Sequence, residues 1–337
     1  MTTLIFPSSH SAAYGYYQQA MMNGEDVVCA SSLAYDDTAY LYKTWFRLPS
    51  IYEEGFRDAI LALLFENDIE KIYCPSTQVY EFLKGLGLYA PLIGKSPAIA
   101  QAEYYKDLIK QADRSLEFID SIYQDNLLGN IEIAALLRQT SLVYGESHNS
   151  KLLAMAAIFA DAPYNGGIVE VGALLGKTAL AIGMLANWSS FTDVFIVDSW
   201  CSSPQKDSPQ AIQDIADLWD WNTTFKGFQI NTAVLPSDVF NYYRCNSADA
   251  HAVYSSGSHA KISVLHIDAN HDYDQVKQDY DLWRPHVLPG GWLILDDYVW
   301  SHGDGPKRVG DAALENENIE RAFTCGGALF MKFAEVA

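Results

Sequence analysis

Short apolar runs alternate with amphipathic stretches over the first 90 residues. The apolar runs predict three strands, at Leu4–Phe6, Asp26–Ala30 and Lys71–Cys74. The stretches between and after these strands predict helices at Ser11–Met22, Ile51–Asn67 and Thr77–Leu86. Strands that alternate with helices indicate a small parallel α/β domain.

A long amphipathic stretch runs from Ala98 to about Tyr123, after breaks at Pro91 and at Gly94–Pro97. Its apolar positions share much of one helical face, which predicts a helix that connects two domains. We therefore predict an N-terminal α/β accessory domain over residues 1–97, a helical connector over 98–130 and a second domain over 131–337.

The second domain contains a clearer series of apolar strands. Six strands are predicted, at Gly167–Val171, Asp193–Val197, Asn241–Cys245, Ile262–Ile267, Gly291–Leu295 and Ala328–Phe333. Helical stretches separate most of these strands. This order predicts one doubly wound, mostly parallel α/β sheet, with ligands bound outside the carboxyl ends of its strands.

Composition and charge narrow the class of protein. Apolar residues make up 49% of the 337 residues and charged residues 19%, which suits a packed core. The longest apolar run, Leu152–Ala160, has nine residues and is too short to span a bilayer, and the N-terminus does not resemble a signal peptide. The net charge of −20 opposes nucleic acid and anionic membranes as partners. Five scattered cysteines indicate neither a disulfide framework nor a zinc site, and favour the reducing cytoplasm.

A glycine turn, Glu170–Thr178 (EVGALLGKT), follows the first strand of the second domain. A dinucleotide site would need GxGxxG, but a single glycine precedes the gap here. A P-loop would need GxxxxGK[ST], and the interval from Gly172 to Gly176 is one residue short of it, although Trp292–Asp297 could pass for a Walker B strand. The remaining pattern, ExGxxxG, resembles motif I of class I S-adenosylmethionine-dependent methyltransferases.

The resemblance continues downstream in the order of that family. Asp198 ends the second strand, where the family places an acid on the ribose hydroxyls, and one carboxylate suits two vicinal hydroxyls. Asn246–Asp249, which includes Ser247, follows the third strand, where the family contacts adenine. The resemblance implies a Rossmann-like, mostly parallel seven-stranded sheet that binds S-adenosyl-L-methionine. It implies cofactor-binding residues at Glu170, Gly172, Gly176, Asp198, Ser247 and Asp268.

Acidic residues follow two further strands, as Asp268 and as the pair Asp296 and Asp297. If these strands are neighbours, the three carboxylates converge and repel one another unless a cation lies among them. Oxygen ligands without cysteine favour Mg²⁺, with Mn²⁺ or Ca²⁺ as alternatives. His271 lies three residues past Asp268, where it could serve either as a general base or as a structural residue at a helix N-terminus.

Three runs sharpen the resemblance to one subgroup: Asp268-x-x-His271-x-Tyr273, Leu288–Gly291 and Asp296–Tyr298. They resemble the metal-dependent macrolide-sugar O-methyltransferases, although that subgroup often has Glu in place of Asp296. The resemblance implies a metal site at Asp268, Asp296 and Asp297 and a general base at His271. It also implies a small-molecule hydroxyl acceptor, a sugar or another secondary metabolite, in natural product biosynthesis. It spans about residues 131–333, and we expect a cytoplasmic homo-oligomer.

Two other functions remain open at this point: a P-loop-like nucleotide hydrolase, and a non-catalytic binding module that keeps the cofactor fold. Trp300–Arg308 could be a loop that covers the substrate, with His302, Lys307 or Arg308 in contact, or a solvated surface loop. Trp219, Trp221 and Phe225 could stack on a substrate, with core packing as the alternative. Tyr144–His148 could reach the cofactor.

Overall fold

The computed structural model describes residues 2–126, 128–202, 210–257 and 261–335. The chain divides into two compact units, Met1–Asp107 and Leu108–Ala337. The boundary falls inside one long helix, α4, Pro97–Ile122. The sequence-based limits at residues 97 and 130 remain predictions. Within the described ranges, no helix combines the length and the apolar character needed to cross a membrane.

The first unit is a four-stranded parallel sheet with helices. Its elements are β1 (Thr2–Ile5), α1 (Ser11–Met22), β2 (Asp26–Ser31), β3 (Trp45–Arg47), α2 (Phe56–Glu66), β4 (Ile69–Tyr73) and α3 (Thr77–Gly85). The strand order is β3-β2-β1-β4, so the prediction of three strands was wrong by one edge strand. A three-residue strand such as β3 is too short to show a periodic pattern. The helix predicted from Ile51 begins only at Phe56, directly after Gly55 in the left-handed region (φ +91°).

The core of the first unit forms between its sheet and α2. Ile60 and Leu64 of α2 are fully buried against Leu4 and Ile72 of the sheet, and the rings of Phe6 and Phe56 lie 5.6 Å apart. Buried Leu, Ile and Phe side chains each contribute about 1.5–3 kcal/mol. The apolar face of α2 therefore packs on one side of the sheet and stabilises this unit.

The second unit follows the α4 segment with helices and strands in alternation. Its elements are α5 (Asn130–Ser141), α6 (Asn149–Asp161), β5 (Gly167–Val171), α7 (Lys177–Trp188), β6 (Val194–Asp198), α8 (Gln210–Ala216), α9 (Trp221–Thr232), β7 (Phe240–Arg244), α10 (Ser247–Ser255), β8 (Ile262–Ile267), α11 (Tyr273–Trp283), β9 (Val287–Leu295), α12 (Gly305–Asn316), β10 (Ile319–Cys325) and β11 (Ala328–Phe333). Ala112 and Ile119 of α4 are buried in the core of this unit.

The described strands of the second unit form one sheet in the order β10-β11-β9-β8-β5-β6-β7. The strands β9, β8, β5, β6 and β7 are parallel, and β11 and β10 are antiparallel additions at one edge. Neighbouring residues of β5, Ile168 and Val169, are buried in separate cores, as expected when helices cover both faces. The predicted fold class, a doubly wound and largely parallel α/β sheet, is confirmed. The strand β10 was missed because most of its residues are exposed or half-buried, so its apolar alternation is weak.

The register of the sheet brings four strand ends to one level. Val171 of β5 is paired with Val197 of β6 and with Ile267 of β8, and Ile267 is paired with Leu295 of β9. The next residue after each of these four partners is, in the same order, Gly172, Asp198, Asp268 and Asp296. The residues singled out in the sequence therefore meet along one edge of the sheet.

Candidate active site

A cavity of about 900 Å³ opens at this edge of the second unit. Its wall includes the glycine turn after β5, the acid that ends β6 and the loops after β8 and β9. A cleft of this size at the carboxyl ends of parallel strands is the usual ligand site of a doubly wound sheet. Each predicted site residue except Gly176 lies in its wall.

The glycine turn has a conformation that other residues cannot adopt. Gly172 has φ +94°, and a Cβ atom there would lie 1.9 Å from the main-chain oxygen of Asp268. Gly176, at the N-terminus of α7, has φ +86°, and a Cβ there would meet the Phe228 ring at 2.9 Å. Glycine is needed at both positions because of the positive φ and the close approach. Gly172 therefore packs directly against the backbone that carries Asp268.

Asp198 holds the turn from the neighbouring strand. Its Oδ2 accepts hydrogen bonds from the amides of Ala173 (2.8 Å) and Leu174 (3.0 Å), and its Oδ1 accepts from the amide of Trp200 (2.6 Å). Burial raises the pKa of Asp198, and the three amide donors oppose that rise. The predicted contact with ribose remains a prediction, and it would use the acceptor capacity that these three amides leave.

Ser247 lies in the first turn of α10, directly after the N-cap Asn246. Its hydroxyl accepts a hydrogen bond from the indole Nε1 of Trp283 at 2.8 Å and donates to the carboxyl of Asp279. Burial raises the pKa of Asp279 to about 6. Ser247 borders the cavity while its side chain holds α10 against α11, so its contact with the cofactor stays a prediction.

Glu170 forms an interior pair with a histidine that the sequence analysis did not select. Both side chains are fully buried, and His266 Nδ1 lies 3.0 Å from Glu170 Oε1. Burial raises the pKa of Glu170 even though His266 opposes the rise. Glu170 Oε2 and His266 Nε2 have no hydrogen-bond partner among the described residues. A buried carboxylate oxygen without a partner, at the wall of a cavity, is free to accept a bond from a ligand.

The acidic cluster contains a cation of its own. Lys151, on α6, is only 1% exposed, and its Nζ contacts Asp296 Oδ2 and lies 3.4 Å from Asp268 Oδ2. Burial alone would lower the pKa of Lys151, but the charges of Asp268 and Asp296 raise it. Burial and the charge of Asp296 raise the pKa of Asp268 well above its usual value. Burial would also raise the pKa of Asp296, but the charge of Lys151 lowers it.

His271 pairs with the second acid of the Asp-Asp pair. Its Nε2 lies 2.8 Å from Asp297 Oδ2, and its Nδ1 is buried without a hydrogen-bond partner among the described residues. The Trp300 ring packs against the imidazole at 4.6 Å between centroids. If Nε2 carries the proton toward Asp297, Nδ1 holds the free lone pair.

The donor atoms are spaced closely enough to hold a divalent ion in two overlapping groups. Ligand atoms of Asp268, His271 and Asp297 lie within 4.8 Å of one another, and so do those of His266, Asp268 and Asp296. Asp268 belongs to both groups. Neither group joins the three carboxylates of the predicted site, because Asp296 and Asp297 fall in different groups, each with a histidine. Two carboxylates and an imidazole nitrogen suit Mn²⁺, and the carboxylates also suit Mg²⁺.

A family model described as a methyltransferase domain matches residues 169–298. This range contains the glycine turn, Asp198, Ser247, Asp268, His271 and both acids after β9. Residues 169–298 therefore correspond to a methyltransferase domain. The match favours this interpretation of the glycine turn over the nucleotide-hydrolase alternative.

Solved structures of methyltransferases resemble the chain at low sequence identity. The O-methyltransferase NovP is 17% identical with a TM-score of 0.43, over 55% of this chain and 80% of its own. The calicheamicin methyltransferase CalS11 is 12% identical with a TM-score of 0.44, over 67% and 92%. The O-methyltransferase TomG from Streptomyces achromogenes is 10% identical with a TM-score of 0.39, over 68% and 90%. Similarities of this strength assign no substrate, and no curated protein sequence matches the chain significantly.

Lys151 and His266 are charged or titratable residues beside the acidic cluster that the sequence analysis missed. Each is a basic residue in a buried part of its element: Lys151 opens the buried run of α6, and His266 lies in the fully buried strand β8. A single charge in a helix without a polar face is costly unless it has a partner. That mismatch was the available signal, but it could not name the partner.

Some of the residues predicted as possible substrate contacts border the cavity of the methyltransferase domain, and others lie elsewhere. Trp219 and Trp221 border the cavity, whereas Phe225 packs on Trp200 at the core. His302 also borders the cavity. The interpretation of Trp300–Arg308 as one loop was wrong, because α12 begins at Gly305 with Pro306 in its first turn. Lys307 and Arg308 therefore lie on that helix, where Lys307 pairs with Asp311 and Arg308 covers the Tyr273 ring.

The Tyr144–His148 segment borders the cavity next to the N-terminus of α7. Lys177 Nζ donates to the main-chain oxygen of Gly145 at 3.1 Å, and the hydroxyls of Ser147 and Thr178 lie 2.9 Å apart. Both contacts attach the segment to the helix that follows the glycine turn. Its contact with the cofactor remains a prediction.

Proposed function

We propose that this methyltransferase domain transfers a methyl group from S-adenosylmethionine to a hydroxyl of a small molecule, with a divalent ion at Asp268, Asp296 and Asp297 and with His271 as general base. The observation that carries the proposal is the His271–Asp297 pair, 2.8 Å apart, beside Asp268 in the cavity that contains the glycine turn. A base next to a cation site, facing a sulfonium donor, is the arrangement that deprotonation and methylation of a hydroxyl require.

Different residues of the chain would bind the donor, orient the base and position the acceptor. S-adenosylmethionine supplies an electrophilic methyl group, and a divalent ion supplies positive charge that acidifies a nearby hydroxyl. The backbone of the glycine turn, kept open by Gly172 and Gly176, gives the methionine part of the donor a surface without side chains. Asp297 orients the imidazole of His271, the side chain that we propose takes the proton from the acceptor. The residues of the cavity wall would position the acceptor so that its oxygen lies in line behind the methyl group.

The acceptor class we propose is a polyhydroxylated ring, such as a sugar or a related secondary metabolite. The cavity is lined both by carboxylates and by aromatic side chains, including Tyr144, Trp219 and Trp300. Aromatic rings pack against the apolar face of a sugar ring, while the carboxylates and His271 face its hydroxyls. A flat apolar ligand would form few hydrogen bonds with the carboxylates that line the cavity.

The test is substitution of His271 by Ala in the full chain. We expect S-adenosylhomocysteine binding, measured by calorimetry, to stay within threefold of wild type. Methyl transfer to a panel of sugar and phenolic acceptors should fall by roughly 10²–10⁴. Added imidazole should restore part of the rate, because it can occupy the space that the side chain leaves. An unchanged rate in His271→Ala would show that His271 is not the base.

A further inference from the structure

Lys151 is the one lysine side chain that the described structure buries completely inside the methyltransferase site. Its neighbours along α6, Leu152–Phe159, are all buried, so the ammonium cannot reach solvent along its own helix. It points instead to Asp268 and Asp296, which follow neighbouring strands. Gly326 packs against the Lys151 backbone, where an added Cβ would lie 2.8 Å from Lys151 Cβ. The side chain is therefore fixed at both ends.

The charges around this ammonium are nearly all negative. Asp268 and Asp296 are its direct partners, Glu170 acts on it from β5, and Asp297 acts on Asp268 from the same loop as Asp296. His266, a basic side chain beside this cluster, is paired with Glu170. Asp268 and Asp296 are only partly exposed, and carboxylates shielded from water repel one another more strongly than exposed ones, so a nearby positive charge or a bound ion stabilises such a cluster. Lys151 provides the first of these.

We propose that Lys151 is an internal counter-ion that replaces part of the charge of the divalent ion, keeping Asp268 and Asp296 in place when no ion is bound and weakening the binding of the ion. This inference rests on the metal site of the proposed function and deepens it. A fixed positive charge beside the site opposes a second cation. The site therefore exchanges its ion readily, and the ion can enter or leave with the acceptor while the fold is maintained.

The test compares Lys151→Met, which keeps the length and loses the charge, with Lys151→Arg, which keeps the charge. Thermal unfolding is measured in EDTA and in excess Mn²⁺, without cofactor or acceptor. We expect Lys151→Met to unfold at a lower temperature than wild type in EDTA and to recover with Mn²⁺. Wild type and Lys151→Arg should respond much less to the ion. Calorimetry should show at least tenfold tighter Mn²⁺ binding by Lys151→Met than by wild type.

The double variant Lys151→Met/Asp296→Asn removes both charges and controls for lost packing. If Lys151 acts as a counter-ion, this variant should be more stable in EDTA than Lys151→Met alone, and Asp296→Asn alone should be less stable than wild type. Equal stability of the single and double variants would overturn the proposal, and so would an unchanged response of Lys151→Met to Mn²⁺. If Lys151→Met folds only in the presence of Mn²⁺, or only as the double variant, the counter-ion role is supported. Failure of the double variant to fold under all conditions, while Asp296→Asn folds, would show that Lys151 is needed for a reason other than neutralising Asp296, and would overturn the proposal.

These measurements separate the new inference from the proposed function. If wild type binds no Mn²⁺ while Lys151→Met binds it, the lysine blocks the ion, and the ion-assisted part of the proposed function fails while the counter-ion role stands. If neither wild type nor Lys151→Met binds Mn²⁺, both the metal site and the proposal that Lys151 replaces part of the charge of the ion are overturned. The loss of methyl transfer in His271→Ala is read independently of either result.

Discussion

The carboxylate of Asp198 holds the main chain of Leu174, whose amide donates to Asp198 Oδ2 at 3.0 Å. Leu174 is the one residue of the glycine turn that is not glycine and still has positive φ, +48°. Its carbonyl accepts a hydrogen bond from the Trp200 indole at 2.7 Å, so both main-chain polar groups of this strained residue are bound to the end of β6. The cofactor turn is therefore preorganised by the neighbouring strand.

Removal of the Asp198 carboxylate should loosen that turn. Asp198→Ala leaves the amides of Ala173, Leu174 and Trp200 without their acceptor, at about 1–3 kcal/mol for each donor that stays buried. Asp198→Asn keeps one acceptor oxygen and should lose less. Thermal unfolding without ligand is the measurement. A stability of Asp198→Ala equal to that of wild type would contradict the structural role.

Gly172→Ala should disrupt the site far more than a glycine substitution of similar backbone strain. The added Cβ would lie 1.9 Å from the Asp268 main-chain oxygen, so the end of β8 must move and carry Asp268 with it. We expect loss of S-adenosylhomocysteine binding by more than a hundredfold in calorimetry. The matched control is Gly290→Ala, which also has positive φ (+74°) but meets only an ordinary contact at 3.6 Å. That variant should lose about 1 kcal/mol of stability and keep its ligand.

The buried carboxyl of Asp279 should make stability fall as pH rises from about 4 to 6. Burial raises the pKa of Asp279 to about 6 in the folded state, above its ordinary value of 3.8. The folded protein therefore holds this proton more tightly than the unfolded chain, and the stabilisation, present below pH 3.8, is lost as pH rises through 6. The difference in pKa corresponds to about 3 kcal/mol at neutral pH.

Asp279→Asn removes this titration and keeps a partner for Ser247. Relative to wild type, its free energy of unfolding should rise between pH 4 and pH 7, as measured by urea unfolding at each pH. Asp281→Asn on the same helix is the control, because that carboxylate is exposed and pairs with Lys277. The control should differ from wild type by a few tenths of a kcal/mol at every pH. A constant difference for Asp279→Asn across the range would contradict the raised pKa.

The five cysteines should differ sharply in reactivity. Burial raises the pKa of Cys29 to about 12 and that of Cys74 to about 11, and both thiols lie in the core of the first unit. Cys201 is exposed and borders the cavity. With a thiol reagent at pH 8, we expect Cys201 to react first and Cys29 and Cys74 to react only on unfolding. Cys201→Ser should remove the fast phase, and S-adenosylhomocysteine should slow it in wild type. Fast labelling of Cys29 in the native protein would contradict the packing of that unit.

Short-range patterns predicted much of the fold and several site residues. The buried strands β5 and β8 were predicted with their full bounds because continuous apolar runs end there at a turn or an acid. The edge strands β3 and β10 were missed, because a strand that is short or exposed carries no apolar period. The helix α12 was read as loop because Gly305 and Pro306 at its start are turn residues elsewhere, although Pro is favourable in the first turn of a helix.

By itself, the sequence determined the sheet class, the glycine turn and the acids that follow the strands, because each depends on neighbours along the chain. Only the tertiary structure decided which charged groups are paired with one another. Lys151 lies 117 residues from Asp268 and 145 from Asp296, yet its ammonium lies between their carboxylates. His266 meets Glu170 only because β8 lies beside β5 in this register. Electrostatic partners are set by distance in space, and only strand order and helix packing bring these residues within reach of one another.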